Sequence, residues 1–122
     1  MDEIRLFSIV IDCKDSSALS AFYAKLLRWT KHDEKPEHIS VSKEGVYPFL
    51  LFQQAEDYKP PVWPDHPEEQ RQMIHLDFAV RNLSEAVEHA VSCGAVAAPI
   101  QYSDRWTVLF DPQGHPFCLC ER

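Results

Sequence analysis

The sequence is poor in glycine and in long apolar runs, and both shortages exclude classes of protein. Its 122 residues include three glycines, Gly45, Gly94 and Gly114. Neither a phosphate-cradling glycine loop nor a G-x-S-x-G elbow is present, so a nucleotide-binding function is unsupported. The apolar runs are too short to span a bilayer. The first residues, MDEIRLF, lack the basic region that precedes a secretory core, so no signal peptide is expected.

Positive charge is also scarce. Twelve lysines and arginines stand against 19 acidic residues, which gives a net charge of −7. Without a basic cluster, neither nucleic acid nor an anionic membrane is expected as a partner. The four cysteines lie in or beside apolar segments, where free thiols behave as small hydrophobes, and we expect a reducing, cytoplasmic setting. They are Cys13, Cys93, Cys118 and Cys120.

What the sequence does contain is two copies of one unit. Residues 7–23 (FSIVIDCKDSSALSAFY) align with residues 74–90 (IHLDFAVRNLSEAVEHA) at a shift of 67. Each copy has an alternating strand, an Asx residue suited to capping a helix, and a helical pattern. The copies also end alike, because PFLLFQ (48–53) resembles PFCLCE (116–121) at a shift of 68.

Three more strands are predicted after each helix, which makes each copy a β-α-β-β-β module. They cover residues 29–32, 39–43 and 47–53 in the first copy, and residues 97–101, 105–110 and 117–121 in the second.

Neither module has enough core to be stable alone, so we predict a single α+β domain over residues 1–122. Module 1 covers about 4–53 and module 2 about 73–122, and a proline-rich, extended arm covers 54–72. The two modules are predicted to form a curved mixed sheet, a cup, with the helices on its outer face.

This arrangement resembles the vicinal oxygen chelate superfamily, which includes glyoxalase I, bleomycin-resistance proteins and extradiol dioxygenases. The resemblance covers nearly the whole chain and is closest to the glyoxalase-like branch. It rests on DSSALSAFYAKLLRW, HLDFAV and FDPQGHPFCLC, and it departs at Arg28, where the family usually has glycine. It implies a site in the cup, where metal-using members place ligands from the first and last strand of each module. The matching positions here are Ser8, Leu50, His75 and Cys118.

These positions favour a site without a metal. A catalytic divalent ion needs at least three protein ligands, and of these four residues only His75 is a normal ligand and Cys118 a possible one. Asp12, Asp77 or Cys120 could add a ligand, because residues two apart on a strand share a face. We therefore expect no cofactor, with a divalent metal on His75 and Cys118 as the less favoured alternative.

The polar face of the segment QMIHLDFAV supplies the candidate chemistry. His75 and Asp77 share that face and are predicted to act as an acid–base pair, or His75 is simply hydrogen-bonded to Asp77, water or a backbone carbonyl. The other five histidines are expected to be exposed and without a chemical role. Ligand-binding positions are predicted at Ser8, Asp12, Leu50, Trp63, Arg105, Trp106, Cys118 and Cys120.

Two of these positions have structural alternatives. Trp63, in the proline arm, could pack on its own sheet, cover the cup mouth or touch a dimer partner. Arg105 could meet an acidic ligand or form an ordinary surface ion pair.

Three functions are compatible with this reading. The favoured one is a cup that binds a small, partly apolar organic molecule, either to sequester it or to act on it by acid–base chemistry. The second is a metal-dependent lyase, isomerase or dioxygenase with a non-standard ligand set. The third is a non-catalytic dimeric interaction module whose cup is filled by its own side chains. A homodimer is expected because dimers are common in the resembled fold.

Overall fold

A computed structural model describes residues 3–35 and 37–122 of the chain. It divides into two compact units, the first ending at Tyr58 and the second running from Lys59 to Arg122. Among the described residues, no helix has the length and apolar character needed to cross a membrane.

The first unit is a four-stranded mixed sheet with one helix. Its strands stand in the order β1-β4-β3-β2, with β1 parallel to β4 and the other pairs antiparallel. The elements are β1 (Ser8–Cys13), α1 (Ser16–Leu27), β2 (Thr30–Lys35), β3 (His38–Lys43) and β4 (Val46–Gln54).

The second unit repeats this order. Its sheet runs β5-β8-β7-β6, and β5 is parallel to β8. The elements are β5 (Leu76–Val80), α2 (Leu83–Cys93), β6 (Val96–Ala97), β7 (Trp106–Phe110) and β8 (Pro116–Glu121). The predicted α+β class with two tandem modules is confirmed.

The caps of the two helices follow from the sequence. Asp15 accepts a hydrogen bond from the Ala18 N–H and starts α1, and Asn82 does the same for α2 through the Glu85 N–H. The helix ends differ in chemistry. Gly94 ends α2 at φ 122°, whereas α1 ends at Arg28, which takes the left-handed conformation (φ 57°) that favours glycine.

Each helix packs on one face of its own sheet. In the first unit, Tyr23 of α1 stacks on Phe52 of β4 at 5.5 Å between ring centroids, and both are buried. In the second unit, Phe117 and Leu119 of β8 are buried, with Phe117 edge-on to Phe78 at 5.9 Å. Because side chains alternate along a strand, the neighbours of these residues point to the opposite face.

Strand pairing shows that the first and last strands of the two units are related by a shift of 67. Ile9 pairs with Leu50 in the first unit, and Leu76 pairs with Phe117 in the second. The predicted shift of 68 for the last strand is therefore wrong by one residue. The counterpart of Cys118 is Leu51, and Leu50 is 3% exposed on the helix-facing side, the same side as Phe52.

A second prediction to correct is the strand at 97–101, which is only two residues long (Val96–Ala97). The backbone leaves the sheet after Ala98, whose N–H still donates to the Val108 carbonyl at 2.9 Å, and the Gln101 side chain replaces the missing pairing. Its amide donates to the carbonyls of Ala98 and Val108, at 2.9 and 2.8 Å, and its oxygen accepts from the Val108 N–H at 2.8 Å.

The proline-rich arm contains no helix between residues 54 and 72, as predicted. From Lys59 onward it belongs to the second unit. It folds back on itself, with the Val62 N–H donating to the Gln70 carbonyl at 2.7 Å and an ion pair between Arg71 and Asp65. A Cβ placed on Gly114 would lie 2.7 Å from Cβ of Pro60, so the turn before β8 needs glycine where the arm crosses it.

A candidate ligand cleft on the second unit

The second unit carries an open cleft of about 670 Å³ on the sheet face away from Phe117 and Leu119. Neighbouring strands of the sheet form the floor of this cleft. Cys118 pairs with Asp77 on one side and with Val108 on the other. Cys120 pairs with Trp106. The predicted site residues that belong to this unit all line it. They are Trp63, His75, Asp77, Arg105, Trp106, Cys118 and Cys120.

Three lining residues were missed by the sequence reasoning: Ser103, Glu121 and Arg122. Arg122 follows Cys118 and Cys120 at the two-residue spacing of a strand face, so the alternation that singled out the cysteines could have found it. Ser103 lies in the loop that replaces the predicted strand at 97–101, and no pattern marks it.

His75 lies immediately before β5, which begins at Leu76, and it is held on both sides. Its Nε2 is 3.2 Å from Oδ1 of Asp77, and its Nδ1 is 3.1 Å from Oε1 of Gln72. The hydrogen bond at Nδ1 goes to a side chain that the sequence reasoning did not name, and the contact at Nε2 places His75 beside Asp77. The side chain is 30% exposed, so one edge of the ring is still open to the cleft.

Asp77 also lies beside the thiol of Cys118, because the two residues pair across β5 and β8 and their donor atoms lie within 4.8 Å. Burial and the negative charge of Asp77 raise the pKa of Cys118 to about 12. The pKa of Cys120 is raised in the same way, first by burial and then by Asp77, with Arg122 acting against both. Both thiols stay protonated near neutral pH, which excludes Cys118 as an activated nucleophile, since the nucleophile is the thiolate.

The same residues could hold a cation. One donor atom each from His75, Asp77 and Cys118 lies within 4.8 Å of the others. This set meets the minimum of three protein ligands and mixes nitrogen, oxygen and sulfur donors in a way that suits zinc. It fits a divalent ion in number and type, and binding requires Cys118 to lose its proton.

Aromatic rings form one wall of the cleft. Trp63 lies against His75 at 4.8 Å between ring centroids, with the rings tilted by 33°. Trp63 also stacks on Tyr102 at 5.7 Å, and Tyr102 stacks on Trp106 at 5.8 Å. Both tryptophans also pack against the buried cluster that contains Val108 and Cys118. Packing on its own sheet, one of the alternatives predicted for Trp63, is therefore observed, and the same ring lines the cleft.

Comparison with known proteins identifies the family. Residues 8–120 match the family model described as the glyoxalase-like domain. The chain belongs to the glyoxalase-like domain family. No curated protein matched the sequence.

Solved structures share the fold of this glyoxalase-like domain. A glyoxalase/bleomycin resistance protein/dioxygenase family enzyme from Burkholderia phytofirmans PsJN is 19% identical, with a TM-score of 0.69 over 93% of this chain and 95% of its own. A glyoxalase family protein from Enterococcus faecalis is 22% identical, with a TM-score of 0.67 over 96% and 97%. TnmS3, an antibiotic binding protein from Streptomyces sp. CB03234, is 13% identical, with a TM-score of 0.67 over 99% and 98%.

The predicted positions in the first unit of the glyoxalase-like domain have different surroundings. Ser8 and Asp12 lie on the face of β1 opposite Ile9 and Cys13, with Ser8 half-buried and Asp12 exposed. Leu50, by contrast, is buried on the helix side. The ligand-binding roles of Ser8 and Asp12 stay predictions, and Leu50 has no surface to offer a ligand.

Two of the histidines expected to be exposed are half-buried, namely His89 and His115. The reason is clearest for His115, whose Nδ1 lies 2.8 Å from Oδ2 of Asp111. Asp111 is 3% exposed and also accepts from the backbone N–H groups of Gln113 and His115, at 2.9 and 3.1 Å. The Asp111 carboxylate thus holds the turn before β8 together and keeps His115 against it.

Proposed function

We propose that this glyoxalase-like domain binds a small, partly apolar organic molecule in the cleft of its second unit. The observation that carries the proposal is the cleft itself. Its volume of about 670 Å³ falls within the roughly 300–1,000 Å³ of ordinary small-molecule sites. Such sites combine apolar walls with a few polar groups, and here Trp63 and Trp106 face His75, Asp77 and Arg105.

Binding is better supported than catalysis, because both ring nitrogens of His75 already have partners. A general base needs a free nitrogen within hydrogen-bond reach of the proton it removes. Gln72 is the partner that can move, because it lies before the first strand of the unit. With Gln72 displaced, Nδ1 of His75 would exchange a proton with the ligand while Asp77 holds the N–H at Nε2.

A thermal-shift screen of small organic molecules tests the proposal. We expect hits to raise the melting temperature of the wild-type protein. Cys120→Phe, which places a ring inside the cleft, should abolish the effect. Trp29→Phe, which changes the one tryptophan of the first unit, is the matched control and should respond like the wild type. A library that yields no hits, or hits that Cys120→Phe binds equally well, would refute the proposal.

A metal-dependent lyase, isomerase or dioxygenase is the second candidate, favoured by the donor group His75, Asp77 and Cys118. A divalent ion held there would supply a polarising charge for a bound oxygen. Elemental analysis of protein purified without a metal-affinity column decides this candidate. Near-stoichiometric metal that disappears in His75→Ala, but persists in the control His32→Ala, would support it.

The third candidate, an interaction module with a filled cup, is opposed by the open cleft. A homodimer is nevertheless part of the proposal, since Leu6, Phe7 and Tyr47 of the first unit are 64%, 56% and 56% exposed. Sedimentation velocity should give about twice the monomer mass. A cytoplasmic location is likewise proposed, and the four free cysteines are consistent with it.

A further inference from the structure

The charged groups of the cleft fall into two sets with different bonding. Its two carboxylates are already engaged by donors of the protein. Asp77 lies 3.2 Å from Nε2 of His75 and beside the Cys118 thiol. Oε1 of Glu121 accepts a hydrogen bond of 3.4 Å from the Leu83 N–H at the start of α2. Each carboxylate thus has a contact within the unit, and among the described residues neither forms an ion pair with an arginine.

The two arginines of the cleft have no such partners. Within residues 3–35 and 37–122, neither Arg105 nor Arg122 forms an ion pair or a side-chain hydrogen bond, whereas Arg71 is paired with Asp65. Two free guanidinium groups in one cleft offer planar forks of donors that match a carboxylate.

The wall beside these arginines is aromatic. Trp106 is the next residue after Arg105, and it lines the cleft together with Trp63. The interplanar angles of Trp63 and Trp106 to Tyr102, which lies between them, are 21° and 18°. Because Tyr102 stacks on both indoles, the rings offer mainly their edges to a flat ligand, and aromatic pairs in edge contact are favourable beyond their buried area.

We propose, on the basis of the ligand-binding function proposed above, that the natural ligand is a planar aromatic acid. Its ring would lie against Trp63 and Trp106, and its carboxylate would pair with Arg105, with Arg122 contributing a second positive charge.

Three probes separate the parts of this proposal in calorimetric titrations. The first, 2-naphthoate, has both the flat ring and the carboxylate. The second, 2-naphthamide, keeps the ring and lacks the charge. The third, cyclohexanecarboxylate, keeps the charge and lacks the aromatic ring. We expect 2-naphthoate to bind at least about tenfold more tightly than either of the others, as loss of a charge-assisted hydrogen bond or of ring contacts implies.

Arg105→Gln should weaken 2-naphthoate binding by about tenfold or more and leave 2-naphthamide binding unchanged. Arg81→Gln is the matched control, since Arg81 is an exposed arginine of the same unit that does not line the cleft. Its affinity for 2-naphthoate should equal that of the wild type.

The outcomes distinguish this inference from the function on which it rests. Equal affinity for the acid and the amide, or an Arg105→Gln variant that binds 2-naphthoate normally, overturns the aromatic acid. So does a thermal-shift screen whose hits are neither aromatic nor anionic, although the ligand-binding function then stands. A screen without any hits overturns both.

Discussion

The two units of this glyoxalase-like domain share the residues that build the fold and differ in those on the open sheet face. Asp15 and Asn82 cap the two helices, and they are 67 positions apart. Gln54 and Glu121, also 67 apart, each accept a hydrogen bond from the first residue of the helix in their own unit. One set of local interactions therefore forms the same scaffold twice.

The open faces are chemically different. At the positions of His75, Asp77 and Cys118 in the second unit, the first unit has Ser8, Val10 and Leu51. A possible acid–base pair and a metal-donor group are thus present on one copy of the scaffold and not at the matching positions of the other. The comparison shows that the scaffold sets where a site can lie, and that at these three positions only the second unit carries ionisable groups.

The largest expected difference between the units concerns the glycine in the turn before each last strand. Gly114→Ala should destabilise the protein by about 2–4 kcal/mol, because the new Cβ would meet Pro60 at 2.7 Å and φ is +93°. Gly45→Ala should cost only about 1–2 kcal/mol, since φ is +78° but nothing lies within 4 Å. Urea unfolding of both variants measures the difference. Equal losses of stability in the two variants would show that Pro60 does not restrict the turn at Gly114.

The next prediction concerns Cys118 at alkaline pH. Its pKa is raised from 9.0 to about 12, so between these values the unfolded chain releases the thiol proton and the folded protein keeps it. The stabilisation from the neutral thiol is full below pH 9 and is lost as pH rises to about 12, with a slope of at most about 1.4 kcal/mol per pH unit.

Denaturant unfolding of the wild type and Cys118→Ser at pH 8 and 10.5 measures this slope. The variant should lose less stability over the interval, whereas the control Cys93→Ser should follow the wild type. Identical slopes for all three proteins would contradict the shift attributed to Cys118.

The smallest expected effect comes from the helix ends. Arg28→Gly should stabilise the protein by about 0.5–1 kcal/mol, because arginine occupies a left-handed conformation there at φ 57°. Gly94→Ala should destabilise it by at least about 1 kcal/mol, because a φ of 122° lies outside the regions open to residues with a Cβ. Thermal unfolding of the two variants should therefore shift the midpoint in opposite directions, and a destabilised Arg28→Gly would show that the arginine side chain has a compensating contact.

The scaffold was predictable from the sequence because it depends on local patterns. Alternation marked β1 and β5, and Asp15 and Asn82 marked the helix starts. The register of β4 was not predictable in this way. The residue identities of PFLLFQ and PFCLCE align best at a shift of 68, whereas the strand pairing gives 67. A slip of one residue moves every side chain to the other face, which is why Leu50 was assigned wrongly.

The candidate site was predictable only where it lies on strands. His75, Asp77, Cys118 and Cys120 follow from the two-residue period, and all four line the cleft. The stacked Tyr102 lies in a loop formed because the Gln101 side chain takes the place of strand pairing. Contacts of this kind do not follow the repeat of a strand or a helix. For that reason neither the Tyr102 stack nor the burial of His115 against Asp111 could be predicted from the sequence.

The most direct test of the account is a titration of ¹⁵N-labelled protein with the strongest thermal-shift hit, followed by amide chemical shifts. The account predicts that the largest changes fall on the amides of the cleft residues, including His75, Trp106 and Cys118, and on the indole N–H groups of Trp63 and Trp106. If the chemical shifts of these groups stay constant while those of other residues change, the ligand binds elsewhere. That result would contradict the second-unit cleft as the binding site.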